Sequence, residues 1–120
     1  MAETLDRVVL AGLRERVGDD PEFVAELVDT YLAESRLHLD AMAAAVEDGS
    51  ATELLRPAHT LKSNSLNLGA EILAGIARTL EEGARAGSID GAAERVAAAR
   101  EEFGRVVEAL EHARSETWAG

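Results

Sequence analysis

The chain has 120 residues, with 23 acidic and 12 basic side chains, a formal net charge of −11 and no cysteine. That length supports one hydrophobic core and leaves no room for a second. Disulfides and thiolate metal sites are excluded. The acidic balance argues against nucleic acid, whose phosphates demand clustered positive charge, and no apolar run approaches the roughly 20 residues that cross a bilayer.

The first residues, MAETLDRVVLAGL, are acidic early and carry no long apolar stretch, so no signal peptide is expected and the protein is expected in the cytoplasm. Abundant Ala, Leu, Glu and Arg, with few aromatics and only two prolines, favour helix throughout. No alternating β-branched run and no hairpin signal is present.

A short first helix is expected after Thr4 as N-cap, with Leu5, Val8, Val9 and Leu13 on one side, ending near Gly18. Asp20 followed by Pro21 marks a second start, a capping carboxylate before a proline at the first helical position. From there Val24, Leu27, Val28, Tyr31, Leu32, Leu39, Met42 and Val46 recur at helical spacing until Gly49.

Ser50-Ala51-Thr52-Glu53 matches a capping box and opens a third helix that ends near Leu68, with Gly69 as its left-handed terminator. A fourth helix takes Ala70 to Ala86, its apolar stripe formed by Leu73, Ile76, Ala77, Leu80 and Ala84. After Gly87-Ser88, a fifth carries Val96, Ala99, Phe103, Val106, Leu110 and Ala113. Short loops between long helices make neighbours antiparallel. The expected fold is therefore all-α, a single domain over residues 1–120. It is an antiparallel up-down four-helix bundle with a short extra N-terminal helix across it.

The third helix holds the chemistry. At 100° per residue, Leu54, Ala58, Leu61, Ser65 and Leu68 gather on the flank that must face the core, and His59 lies outside that stripe. On its face are Thr52, Leu55, Arg56, Lys62, Ser63 and Leu66. Residues 54–70 contain no Asp or Glu, and Lys62 is the only lysine in the chain. His38 and His112 have no such neighbourhood and are expected to be ordinary surface residues.

An imidazole facing water beside a cation is expected to be neutral at pH 7 and nucleophilic, able to form a covalent intermediate. A phosphoryl group on it would bring about two negative charges, which Lys62 could offset while Ser63 offers a hydroxyl. Other chemistries lack their residues. No histidine has a glutamate three positions before it, as di-iron bundles require. There is no His-Glu-x-x-His, P-loop or G-x-G-x-x-G, and no nucleophile elbow. No metal and no cofactor is expected, and any phosphoryl group must come from a partner.

The run His59-Thr60-Leu61-Lys62-Ser63-Asn64-Ser65-Leu66-Asn67-Leu68-Gly69-Ala70 resembles the signature of histidine-containing phosphotransfer (HPt) domains, His-x-Leu-Lys-Gly-Ser followed by several residues and Gly-Ala. GDDPEFVAELVDTYLAES resembles the start of the family's second helix, and AEILAGIARTLEEGARAGS its helix after the signature. The resemblance implies a four-helix bundle that shuttles phosphoryl groups between receiver-domain aspartates in a multistep phosphorelay. It assigns His59 as the phosphorylated residue and Lys62 as the cation that steadies the phosphoryl group. The implied partners are response-regulator receiver domains, which supply Mg²⁺ and the transfer machinery, and a hybrid histidine kinase. The protein would be a carrier and no enzyme in its own right.

Ser63 stands where many family members have Gly. Pro57, inside the third helix, leaves the Glu53 carbonyl without its donor, and a bend just before His59 is expected. Leu55 and Leu66 are expected at the apolar centre of the receiver contact, rimmed by Thr52, Arg56, Lys62 and Ser63. Met1 and a complete set of helices lead to the expectation of an independent monomer. Two alternatives stay open: a receiver-binding adaptor, and a histidine-kinase dimerisation bundle. The second usually follows its histidine with an acid, where this chain has Thr60.

Overall fold

The computed structural model describes residues 4–16, 18 and 20–113. Among them are five helices and no strand: α1 (Arg7–Arg16), α2 (Pro21–Glu47), α3 (Ala51–Asn67), α4 (Glu71–Arg85) and α5 (Ala92–Ala113). Helices α2 to α5 form the bundle. Their apolar stripes meet in one core, with Val24, Val28, Leu39 and Met42 from α2, and Leu54, Ala58 and Leu61 from α3. Leu73, Ala77 and Leu80 from α4, and Ala99, Val106 and Leu110 from α5, complete it.

Contacts between α2 and α5 step in opposite directions along the two chains. Arg36 lies over the Phe103 ring, and further along α2 Asp40 pairs with Arg100, earlier in α5. These two helices are therefore antiparallel. A turn of three residues makes α3 fold back on α2 in the same way, bringing Tyr31 against Ser65 near their far ends. Their hydroxyls share a 2.9 Å hydrogen bond in the interior, which satisfies two polar groups that would otherwise cost free energy to bury. Burial pushes the Tyr31 phenol above its usual range, against the pull of that bond.

The helix ends follow local chemistry. Asp20 accepts from the backbone N–H groups of Glu22 and Phe23, with Pro21 next in line. Ser50 Oγ accepts from Glu53 N–H, one half of the expected capping box. The Ser50 N–H is taken instead by Ala45 O, which closes α2. At α1 the expected cap is corrected: Asp6, not Thr4, accepts from Val8 and Val9 N–H. A carboxylate two residues further on can reach those amides, and the helix accordingly begins at Arg7.

Gly69 couples α3 to α1. Its φ of 79° ends α3 in the left-handed conformation, with Gly69 N–H bonding Leu66 O and Ala70 N–H bonding Ser65 O. Its own carbonyl accepts from Asp6 N–H at 2.6 Å. A Cβ on residue 69 would fall 2.7 Å from Asp6 O, so the backbones meet there only because the side chain is a hydrogen. Ala70, fully buried, then turns the chain into α4.

Helix α3 runs without interruption through Pro57. Leu54, Ala58, Leu61 and Ser65 are its buried residues, the stripe expected from the sequence. The exposure of His59 follows from its place on the opposite side of the helix. No helix among the described residues is long and apolar enough to cross a membrane.

Candidate functional site

His59 projects from the middle of α3 with 55% of its side chain exposed. Its Nδ1 lies 2.6 Å from Oε2 of Glu81, a residue of α4. The other oxygen of Glu81 lies 2.6 Å from Lys62 Nζ. Arg85, one turn further along α4, adds a contact at 2.7 Å to Oε2. Only 5% of the Glu81 side chain is exposed, so a carboxylate embedded between two helices organises the histidine and two cations around itself.

Burial alone would raise the Glu81 carboxyl. The hydrogen bond from Lys62 outweighs it, and the bond from His59 and the Lys62 charge add to the effect, holding the group at about 2 against an ordinary 4.5. Glu81 is therefore an anion at neutral pH, and an ionised carboxylate only accepts. The hydrogen between the two residues must then sit on Nδ1. In the neutral ring that choice fixes the tautomer and puts the lone pair on Nε2, which has no hydrogen-bond partner among the described residues. The same contact pins the ring's rotation, which reduces the entropy lost when a reacting group approaches.

The expected face is assembled as follows. Lys62 is mostly covered, with 25% of its side chain exposed and its ammonium directed to Glu81. Ser63 is half-buried and makes no side-chain hydrogen bond to His59. Thr52 and Arg56 are exposed, and Arg56 has no ion-pair partner among the described residues. Leu66 is 50% exposed. Leu55 differs from the expectation of a solvent-facing leucine: it is half-buried and packs against the core. Beside the histidine, Lys62, Leu66, Glu71, Ala74, Gly75 and Arg78 line a recess of about 250 Å³ between α3 and α4.

Glu81 is the residue that the reading of α3 alone missed, since a carboxylate-free stretch of sequence acquires its carboxylate from a neighbouring helix. A signal was present. Glu81 falls at helical spacing between Ala77 and Ala84 on the edge of the apolar stripe of α4, where a charge needs a partner. Glu102 sits in the same way among Ala99, Phe103 and Val106 of α5, and its partner is Arg105 of its own helix, at 2.8 Å. A carboxylate in a stripe therefore announces a pairing without saying where it lies. No cluster of three or more potential metal ligands is present among the described residues.

Taken together, the geometry presents one oriented imidazole nitrogen to solvent, backed by a buried anion and flanked by cations. Three comparisons bear on it. The family model of the Hpt domain matches residues 26–116, which contain α3, α4 and the whole His59–Lys62–Glu81 cluster. Among solved structures, the chain is similar to histidine-containing phosphotransfer protein B (HptB) from Pseudomonas aeruginosa PAO1. Sequence identity is 35% and the TM-score 0.87, covering 96% of this chain and 97% of that one. No curated protein matched significantly. The chain belongs to the Hpt domain family, the histidine phosphotransfer proteins of phosphorelays.

Proposed function

We propose that His59 is the residue through which this protein takes up and passes on a phosphoryl group, with Nε2 as the reacting atom. The observation that carries this is the 2.6 Å bond from Nδ1 to an ionised Glu81. It commits one ring nitrogen to the protein and leaves the other free at the surface. Lys62 steadies the phosphoryl oxygens while still holding Glu81, since an ammonium has three donors. Ser63 lies one turn from His59 and offers its hydroxyl to the same oxygens.

The partners are response-regulator receiver domains, and a hybrid histidine kinase stands upstream of one of them. Leu66, with the exposed edge of Leu55, forms the apolar centre of the docking face, and Thr52 and Arg56 its rim. Mg²⁺ and the acyl phosphate belong to the receiver, so the protein acts as a carrier in the cytoplasm and as a monomer. One chain closes the bundle by itself, which favours this reading over a dimerisation hairpin.

The experiment combines a phosphorylated receiver, Mg²⁺ and this protein. The expected result is an acid-labile phosphate on the wild type and none on His59→Gln, with both proteins equally helical. Label retained by His59→Gln would overturn the assignment.

A further inference from the structure

Orienting the ring requires only a hydrogen-bond acceptor, and a neutral amide could supply it. A carboxylate adds a full negative charge, here almost wholly buried and in contact with Nδ1. Phosphoryl transfer is where that charge acts. When the Nε2 lone pair attacks the phosphorus of an acyl phosphate, an N–P bond forms and the P–O bond breaks, the carboxylate leaving with its electron pair. The proton on Nδ1 takes no part. The product is an N-phosphorylated imidazolium ring bearing one positive charge. In the onward step the N–P bond breaks and its electrons return to the ring. A cationic ring accepts that pair more readily than a neutral one, and a neighbouring anion favours the cationic form.

We propose that Glu81 sets the lability of the phosphoryl group at the site: its charge keeps the phosphorylated ring cationic at Nδ1, so that the phosphoryl group is held ready to leave. The proposal rests on His59 being the carrier. It makes Glu81 a positioning residue with an electrostatic task, acting through the ring rather than on the phosphorus. The charged groups that temper it are Lys62 of α3 and Arg85 of α4, both in contact with the carboxylate. No charged side chain of α1, α2 or α5 pairs with Glu81 or His59 among the described residues. Because His59 and Arg85 share Oε2, a ring that becomes cationic strengthens its claim on that oxygen as the phosphoryl group arrives.

The test phosphorylates wild type and Glu81→Gln with phosphoramidate, whose P–N bond breaks as ammonia leaves. Two properties are then followed against pH: the decay of the phosphohistidine, and the ¹⁵N NMR signals of the ring. Glutamine keeps the shape and an acceptor oxygen but removes the charge. Its phosphohistidine is expected to outlive the wild type's about tenfold at neutral pH. The Nδ1 proton should be lost about one pH unit lower, a unit being a factor of ten in population.

Equal lifetimes and superimposable titrations would reduce Glu81 to a hydrogen-bond acceptor and sink the proposal. Should Glu81→Gln fold poorly, the phosphorylated wild type decides alone. Its ring must hold the Nδ1 proton to higher pH when folded than in urea, and equal midpoints overturn the proposal. A wild type that takes no phosphate on His59 overturns the carrier assignment itself, a different failure from the two above.

Discussion

Glu81 of α4 holds His59 of α3 at 2.6 Å through one oxygen and Lys62 at 2.6 Å through the other. The relative position of the histidine and the lysine is therefore fixed by a third side chain from another helix. Substitutions in this group separate into those that alter chemistry, those that alter docking and those that alter the fold.

Acid sensitivity follows from the carboxyl. Its folded value of about 2 lies below the ordinary 4.5, so its contribution to stability is complete above about pH 4.5 and is lost as pH falls toward 2. Urea unfolding of wild type and Glu81→Gln across that range isolates it. The wild type's advantage should be fully present at about pH 5 and shrink steadily below it. An advantage that grows between about pH 4.5 and 2 would contradict the ionised state.

Lys62→Ala removes the largest cause of that lowered value, so the Glu81 carboxyl should titrate at higher pH than in the wild type. Phosphoryl transfer from a receiver should slow by about tenfold. That is the low end for deleting one charge-stabilising donor, because the site is open to water. Unfolding free energy should fall by about 1–3 kcal/mol, since the buried Glu81 carboxylate loses one partner but keeps His59 and Arg85. Rapid-quench kinetics with a radiolabelled receiver and a thermal melt check the two halves separately.

The two leucines should separate binding from stability. Leu66 is half exposed, and Leu66→Asp is expected to weaken receiver binding by about tenfold while shifting stability by no more than ~0.5 kcal/mol. Leu55 packs against the core, so Leu55→Asp should cost about 1–3 kcal/mol of stability in addition to any loss of binding. Calorimetric titration beside thermal unfolding distinguishes them. A Leu66→Asp protein that binds like the wild type would remove this leucine from the docking face.

Gly69→Ala should be among the most damaging small substitutions. It places a Cβ in a left-handed conformation and 2.7 Å from Asp6 O. Strain and displacement of α1 together should cost about 2–3 kcal/mol. The expected signature is early loss of α1, seen as faster hydrogen exchange at Val8 and Val9, whose amides Asp6 caps. Uniform loss across the bundle would mean that α1 contributes nothing separable.

Much of the architecture was legible because it rests on local physics. Asp20-Pro21, Ser50 and the glycines at 49, 69 and 87 act on the few residues beside them. The apolar stripes of α2 to α5 repeat at the pitch of the helix that they create. The same periodicity put His59 outside the stripe of α3, and its exposure follows. The N-cap of α1 was misplaced because Thr4 and Asp6 are both competent caps two residues apart. The contact between Asp6 N–H and Gly69 O, made across the whole of α1, α2 and α3 in the chain, is consistent with Asp6 as the start.

What the sequence determined by itself is the histidine, the lysine a turn away and the face that they share, all consequences of spacing along one helix. What only the tertiary structure decided is the partner of that histidine. Glu81 lies 22 residues from His59 in the chain, and nothing in helical periodicity measures the distance between side chains on two different helices. The packing of α4 against α3 sets that distance. It thereby decides which ring nitrogen is held by the protein and which is left open.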